Sequence, residues 1–353
     1  VTPAHSMIDW EIAQKNSLPM KQVIDEFGRM TVGIGKGKKV AEARDMVVEW
    51  LRAQGLLEKE EEIEHNVATA ERTGGVIEPL PKLQWFVAVN KEFKRDGKNV
   101  TLKSLMKDSV ESGSIKIVPD RFERVYYNWI DNLRDWCISR QIWYGHRIPV
   151  WYKGDPQKPD EIFCDIEQPM GAVAMDDWKQ DEDTLDTWFS SGLWTFSTLG
   201  WPDVKASDFL KYHPTTILET GFDIIFFWVA RMILMSRYLV DQVPFKTVYL
   251  HGLVRDAQGR KISKSLGNNV EPLDMIAKYG ADAVRMSLIV GVGPGSDSKV
   301  GEDKIKAYKL FANKLWNITR FILSSTAGAK YDPAFKEFSL ADLELKKIGR
   351  AHV

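Results

Sequence analysis

The sequence predicts an α/β fold built on a parallel, doubly wound sheet, and three observations carry that expectation. Two short strand-like runs, 215–218 and 247–250, flank a strongly apolar helical stretch at 223–239. Strand, helix and strand in that order, with a loop at each strand's carboxyl end, is the pattern of a parallel crossover. The composition is 44% hydrophobic and 27% charged over 353 residues, that of a globular chain and not of a disordered or fibrous one. That length holds two or three domains of ~100–200 residues, and thirteen Trp point to a sizeable core.

The elements follow in order. The first ~75 residues read as an α/β piece by pattern, with Val40, Ala43, Val47 and Trp50 at helical spacing before the stop signal Gly55. The charge run 58–64 reads as a solvated face. The run 83–89 (LQWFVAV) reads as a buried strand and 91–99 as a polar loop. Phe122, Val125, Tyr126, Trp129, Leu133 and Trp136 mark one helix face, and 148–152 is a further strand-like run. Glu271-Pro272 opens a helix that Gly280 closes, and the helical pattern resumes over 305–323. Internal repeats and low-complexity segments are absent from the sequence.

A formal net charge of −1 gives no global basic field, so any nucleic-acid contact must come from local patches. The two cysteines, Cys137 and Cys164, form no CxxC pair, which excludes a two-pair zinc ribbon and a disulfide framework and suits a reducing cytoplasm. The longest apolar run, 224–230, is seven residues against the ~20 a membrane span needs. No signal peptide opens the sequence. Its last six residues, 348–353, resemble the translation of a sequencing adapter and are expected to be an artefact.

The sharpest chemical signal is 251–268, HGLVRDAQGRKISKSLGN. A strand ends near His251, Gly259 permits a sharp turn, and Lys261 and Lys264 sit three apart among small hydroxyl residues. Such a loop brings two ammonium groups onto a polyphosphate while the backbone stays close. Taken alone, a KxxK pair is more often a solvated basic hairpin. The whole segment resembles the KMSKS signature of class I aminoacyl-tRNA synthetases, here KISKS, with Ile in place of Met, a volume-conserving change. The resemblance implies catalytic roles for Lys261 and Lys264, and ATP binding by His251, Gly252, Lys261, Ser263, Lys264 and Ser265. ATP is then a substrate, with Mg2+ accompanying it.

Three more segments narrow the resemblance to the valyl enzymes: Asp186–Trp194 (DTWFSSGLW), Glu219–Trp228 (ETGFDIIFFW), and 136–149, whose WCISRQ and GHRIP resemble the return into the catalytic domain. Phe311–Asn317 (FANKLWN) follows in the family's order. Singly, Trp188 reads as a core aromatic and Asp223 as a helix cap. In the family pattern Trp188, Asp223 and Ile224 form the valine pocket, with Asp223 near the ribose or the substrate amine.

The opening 1–9 resembles the strand-turn of the family's editing domain, which hydrolyses mischarged threonyl-tRNA because an apolar pocket rejects a hydroxyl isostere only ~10²-fold. Asp9 matches its second Asp, and Ser6 stands where the family has its first. Asp9 as an ordinary turn or cap residue is the plainer alternative. None of the six His lies in a HIGH-type motif, so the resemblance implies that the first nucleotide-binding half lies upstream. It implies the C-terminal part of an editing domain at 1–80, a return linker at 81–130, the second half of a Rossmann-like catalytic domain at 131–300, and the start of an all-α anticodon-binding domain at 301–347. The implied partners are tRNA(Val), valine and ATP in a monomeric, cytoplasmic parent with no membrane association. Apart from Cys137 inside it, only Cys164 lies near the return segments, so neither zinc nor any other metal site is expected. An isoleucyl or leucyl sibling, or a non-catalytic tRNA-binding paralogue, are the rival readings.

Overall fold

The computed structural model describes residues 2–3, 6–64, 66–70, 73–169, 178–262 and 267–328. The chain divides into two compact units, Val1–Val87 with Cys137–Leu185, and Ala88–Trp136 with Asp186–Val353.

In the first unit Ser6 caps the helix Met7–Lys15, its hydroxyl accepting the Asp9 amide at 3.1 Å. The 40–50 periodicity is realised as the helix Val40–Ala53, followed by Gly55 at φ 67°. The charge run 58–64 is exposed throughout. The strand expected over 83–89 is a correction: only Phe86–Val87 is strand, with Leu83 and Phe86 more than half exposed. Side chains take the backbone amides there. Trp85 donates its backbone N–H to Ser139 Oγ (2.7 Å), and its indole donates to Tyr152 Oη (3.0 Å) and Asp181 Oδ2 (2.8 Å). Tyr152 lies in the strand Val150–Asp155, the centre of an antiparallel sheet with Lys158–Cys164 and Trp178–Gln180. Ile148, Val150 and Tyr152 form the local core, with Trp85 and Leu185 packed on it.

The second unit holds the expected parallel sheet. The strand Phe245–His251 is its centre, with Thr215–Gly221 on one side and Lys116–Val118 on the other, both parallel to it. The third strand was not expected, because Lys-Ile-Val is too short a run to stand out from the sequence. Phe245, Val248, Leu250 and Ile117 are fully buried. The connection read as one helix over 223–239 is a 3₁₀ turn Phe222–Ile224, a π-helical turn Ile225–Val229 and an α-helix Ala230–Leu239. The face read from Phe122 to Trp136 is also shorter than expected. The helix is Arg121–Asp131, so Leu133 and Trp136 lie beyond it, and its buried residues are Tyr126 and Ile130. The loop at 91–99 is instead a hairpin, Phe93–Arg95 against Lys98–Val100, turning at Asp96-Gly97 with both residues at positive φ.

At the carboxyl end the helix Pro272–Tyr279 stops at Gly280, φ 94°, and a second helix, Ala281–Ile289, follows at once. The long helix Glu302–Ser325 realises the 305–323 pattern. Ala283, Val284, Val300 and Ile305 pack together as a separate small core. Among the described residues no helix is long and apolar enough to cross a membrane.

Candidate functional site

The site assembles where the two longer parallel strands end. Gly221 and His251 are register partners at their carboxyl termini, the edge of a parallel sheet where ligands are usually bound. Strand pairing therefore brings the ETGFD segment to HGLV. A β-carbon on Gly221 would lie 2.6 Å from Asp223 Oδ1, 3.5 Å from His251 Cε1 and 3.7 Å from Leu253 Cδ2. A side chain at 221 would displace the Asp223 carboxyl from its place against this strand end. Asp223 does not cap the apolar helix, because the residue before the first helical turn is Gly221. His251 Nδ1 lies 2.7 Å from the Gly252 carbonyl, which assigns a proton to that nitrogen. Its Nε2 is 3.4 Å from Glu219 Oε1.

Gly252 is required for a different reason. A β-carbon there would lie 1.9 Å from the Ser296 carbonyl oxygen and 2.5 Å from the Asp297 amide. The segment 291–297, Gly-Val-Gly-Pro-Gly-Ser-Asp, lies across the end of the central strand, with the Gly295 N–H donating to Leu250 O at 2.7 Å. Asp297 accepts the Leu253 amide at 2.8 Å and pairs with the Arg255 guanidinium. The Leu253 amide, and then Arg255, hold the Asp297 carboxyl below the usual carboxylate range. Val254–Arg255 and Ser298–Lys299 pair as short parallel strands, fixing the base of the lysine loop.

Lys261 sits on that loop, bridged to Arg255 by backbone pairing and exposed to solvent. Ser263, Lys264 and Ser265 lie outside the described residues. Asp256, 5% exposed, accepts from the Arg260 amide (2.8 Å), Arg260 Nε (2.7 Å) and Asn268 Nδ2 (3.0 Å). The Asn268 hydrogen bond, with those from Arg260, pushes its pKa down to about 2. Both residues stand inside the 251–268 segment, but reading only its cations left them unassigned. The Asp-x-x-Gly spacing, a turn in which Gly259 donates its N–H to Asp256 O at 2.9 Å, was the signal available.

Trp188 stands in the short helix Thr187–Gly192, which Asp186 caps by accepting the Trp188 amide at 3.2 Å. Asp186 also accepts the Trp136 indole at 3.2 Å. Trp188 is half-buried and stacks on Phe227 (centroids 5.8 Å, 27°), and Trp228 Nε1 donates to Ser191 O at 3.1 Å. Trp188 is thus tied to the π-helical turn that directly follows Asp223 and Ile224. A π turn aims its side chains differently from an α turn and is frequent at functional sites. Asp9 belongs to the other compact unit. It lies in the first turn of the helix Met7–Lys15, where the Thr2 hydroxyl donates to its carboxylate at 2.9 Å and lowers its pKa. Among the described residues no group of three or more His, Cys, Asp or Glu gathers to hold a metal.

The family profile of tRNA synthetases class I (I, L, M and V) matches residues 6–300. The chain belongs to the class I tRNA synthetases. It is 46% identical over 94% of its length to the valine--tRNA ligase of Geobacillus kaustophilus, and 49% identical over 93% to that of Symbiobacterium thermophilum. The chain spans about a third of these relatives, 36% and 35% of their lengths. Two structures of Mycobacterium tuberculosis methionyl-tRNA synthetase share the fold. The apo form matches with TM-score 0.52 and 19% identity, covering 80% of this chain and 48% of that one. The methionyl-adenylate complex matches with TM-score 0.51 and 22% identity, covering 74% and 52%. In this synthetase chain the base of the lysine loop, the strand ends and the 291–297 segment meet at one edge of the sheet.

Proposed function

We propose that the chain is a segment of a valine--tRNA ligase and carries the lysine-loop half of its amino-acid activation site. The observation that carries the reading is the position of Lys261, on a loop braced at both ends beside the carboxyl edge of a parallel sheet. The likeness to valine--tRNA ligases supports valine as the amino acid.

The reaction follows from the charges. A valine carboxylate is ionised at neutral pH, so its oxygen attacks the α-phosphorus of ATP without a general base. The bond to the β-phosphate bridging oxygen breaks, leaving valyl-adenylate and pyrophosphate. What lowers the barrier is cationic stabilisation of the departing pyrophosphate, supplied by Lys261 and Lys264. Ser263 and Ser265 hydroxyls donate to phosphate oxygens, and His251 and Gly252 line the nucleotide side. Mg2+ accompanies the triphosphate as its counter-ion. The stacked Trp188 and the Ile224 side chain bound a small apolar pocket for valine, and Asp223 takes the substrate ammonium or ribose. Transfer to tRNA(Val) completes the reaction, and Asp9 serves hydrolysis of mischarged threonyl-tRNA in a separate editing domain. The domain limits at 80, 130, 300 and 347 belong to the same reading, as do a monomeric and cytoplasmic parent.

ATP–pyrophosphate exchange by the full-length synthetase with a panel of amino acids tests it. A valine-dependent signal is expected, whereas exchange driven by isoleucine or leucine would overturn the assignment. No exchange with any amino acid would point to a binding paralogue.

A further inference from the structure

We propose that Asp256 is the positioning residue of Lys261, its carboxylate fixing the turn before that lysine and, through Asn268, the lysine's own backbone carbonyl, so that the Lys261 ammonium is presented to the polyphosphate. The inference rests on the functional reading above and assigns a role to a buried acid that the chemistry itself does not use. At the near end Asp256 accepts two hydrogen bonds from Arg260, and the Asp256 N–H donates to Arg260 O at 3.0 Å, closing a tight turn over Gly259. At the far end Asn268 Nδ2 is shared between Asp256 Oδ2 at 3.0 Å and the Lys261 carbonyl at 3.1 Å. One carboxylate thereby fixes the turn before Lys261 and, through Asn268, the Lys261 carbonyl.

Fixing the backbone at Lys261 removes conformations that would carry its side chain away from a bound phosphate. Its ammonium group then acts at a higher effective concentration on a phosphate. The same carboxylate occupies the Arg260 guanidinium, so the cation next to Lys261 is held at the loop base. The other carboxylate at this base, Asp297, is engaged by Leu253 and Arg255 and does not reach the loop's far end.

Valine-dependent pyrophosphate exchange by the full-length synthetase separates positioning from mere folding. Asp256→Ala is expected to lower kcat/KM for ATP by roughly 10- to 100-fold, the scale of a small misplacement of charge, with KM for valine unchanged. Asn268→Ala leaves the Asp256–Arg260 pair intact and should move ATP kinetics in the same direction by a smaller factor. The decisive variant combines Asp256→Ala with Lys261→Ala. If Asp256 acts through Lys261, the double variant is little worse than Lys261→Ala alone. Losses that multiply in the double variant, or fall equally on the KM for valine, would overturn the proposal. Absence of exchange in the unsubstituted enzyme would instead remove the functional reading, and this inference with it.

Discussion

At the scale of single residues, the lysines and the glycines do different work. Lys264→Ala is expected to lower valine activation by at least ~10²-fold, the usual loss for a contact made to transition-state charge. Lys261→Ala should do the same or less, read by pyrophosphate exchange in the full-length enzyme. Gly252 is not in the left-handed region, so a substitution there fails by contact and not by backbone strain. Gly252→Ala must push the 291–297 segment off the strand end, and overpacking of that kind costs ~1–3 kcal/mol. A urea midpoint for Gly252→Ala equal to the parent's would show that the segment yields freely. On the proposed editing role, Asp9→Ala is expected to raise accumulation of threonyl-tRNA and leave valine activation intact. If deacylation of threonyl-tRNA is unchanged, Asp9 is only a residue in the first turn of its helix. Ser6 fits either outcome, since as a cap it satisfies the Asp9 amide as an aspartate would.

At the scale of elements, what could be read from the sequence follows from what side-chain pattern encodes. The longer parallel strands, the helix at 40–53 and the helix closed by Gly280 were legible because apolar spacing and stop residues are local. The strand Lys116–Val118 was not, because a three-residue strand is defined by its neighbour and carries no pattern of its own. The π turn at Ile225–Val229 escaped for another reason: the run is apolar on every side, so periodicity could not register a change in helical pitch. The lysine loop was legible as cations, but its brace was not, since Asp256 and Asn268 become partners only when the loop closes. His213, which follows the short helix Ser207–Tyr212, shows burial acting on an element's chemistry. Its ring stacks on Phe209 (4.9 Å, 13°) and lies 3.3 Å from the Thr195 carbonyl, and burial holds its pKa below the ordinary 6.5. Below that value the unfolded chain takes up a proton that the folded chain resists. The stabilisation is therefore complete above about pH 6.5 and declines as pH falls through that window. Urea midpoints at about pH 7.5 and 5.5 should separate, and His213→Gln should narrow the gap; an equal gap in both proteins would contradict the burial argument.

At the scale of the whole molecule, this chain supplies strand ends and cations, while none of its six histidines stands in a HIGH-type motif. Holding adenine and triphosphate in line accounts for ~7–11 kcal/mol of such a barrier, so residues 1–353 alone are expected to show no valine activation. Robust exchange by the isolated chain would mean that the site is complete within it. The long carboxyl-terminal helix, Glu302–Ser325, exposes Trp316 (70%) and Phe321 (71%), surface that favours aggregation of the isolated chain. The proposed role of the KISKS loop is in valine activation. Its most direct test is valine-dependent pyrophosphate exchange by the full-length synthetase with and without Lys264→Ala. Strong exchange that falls by at least ~10²-fold in the variant is the predicted result; an undiminished rate would contradict the account.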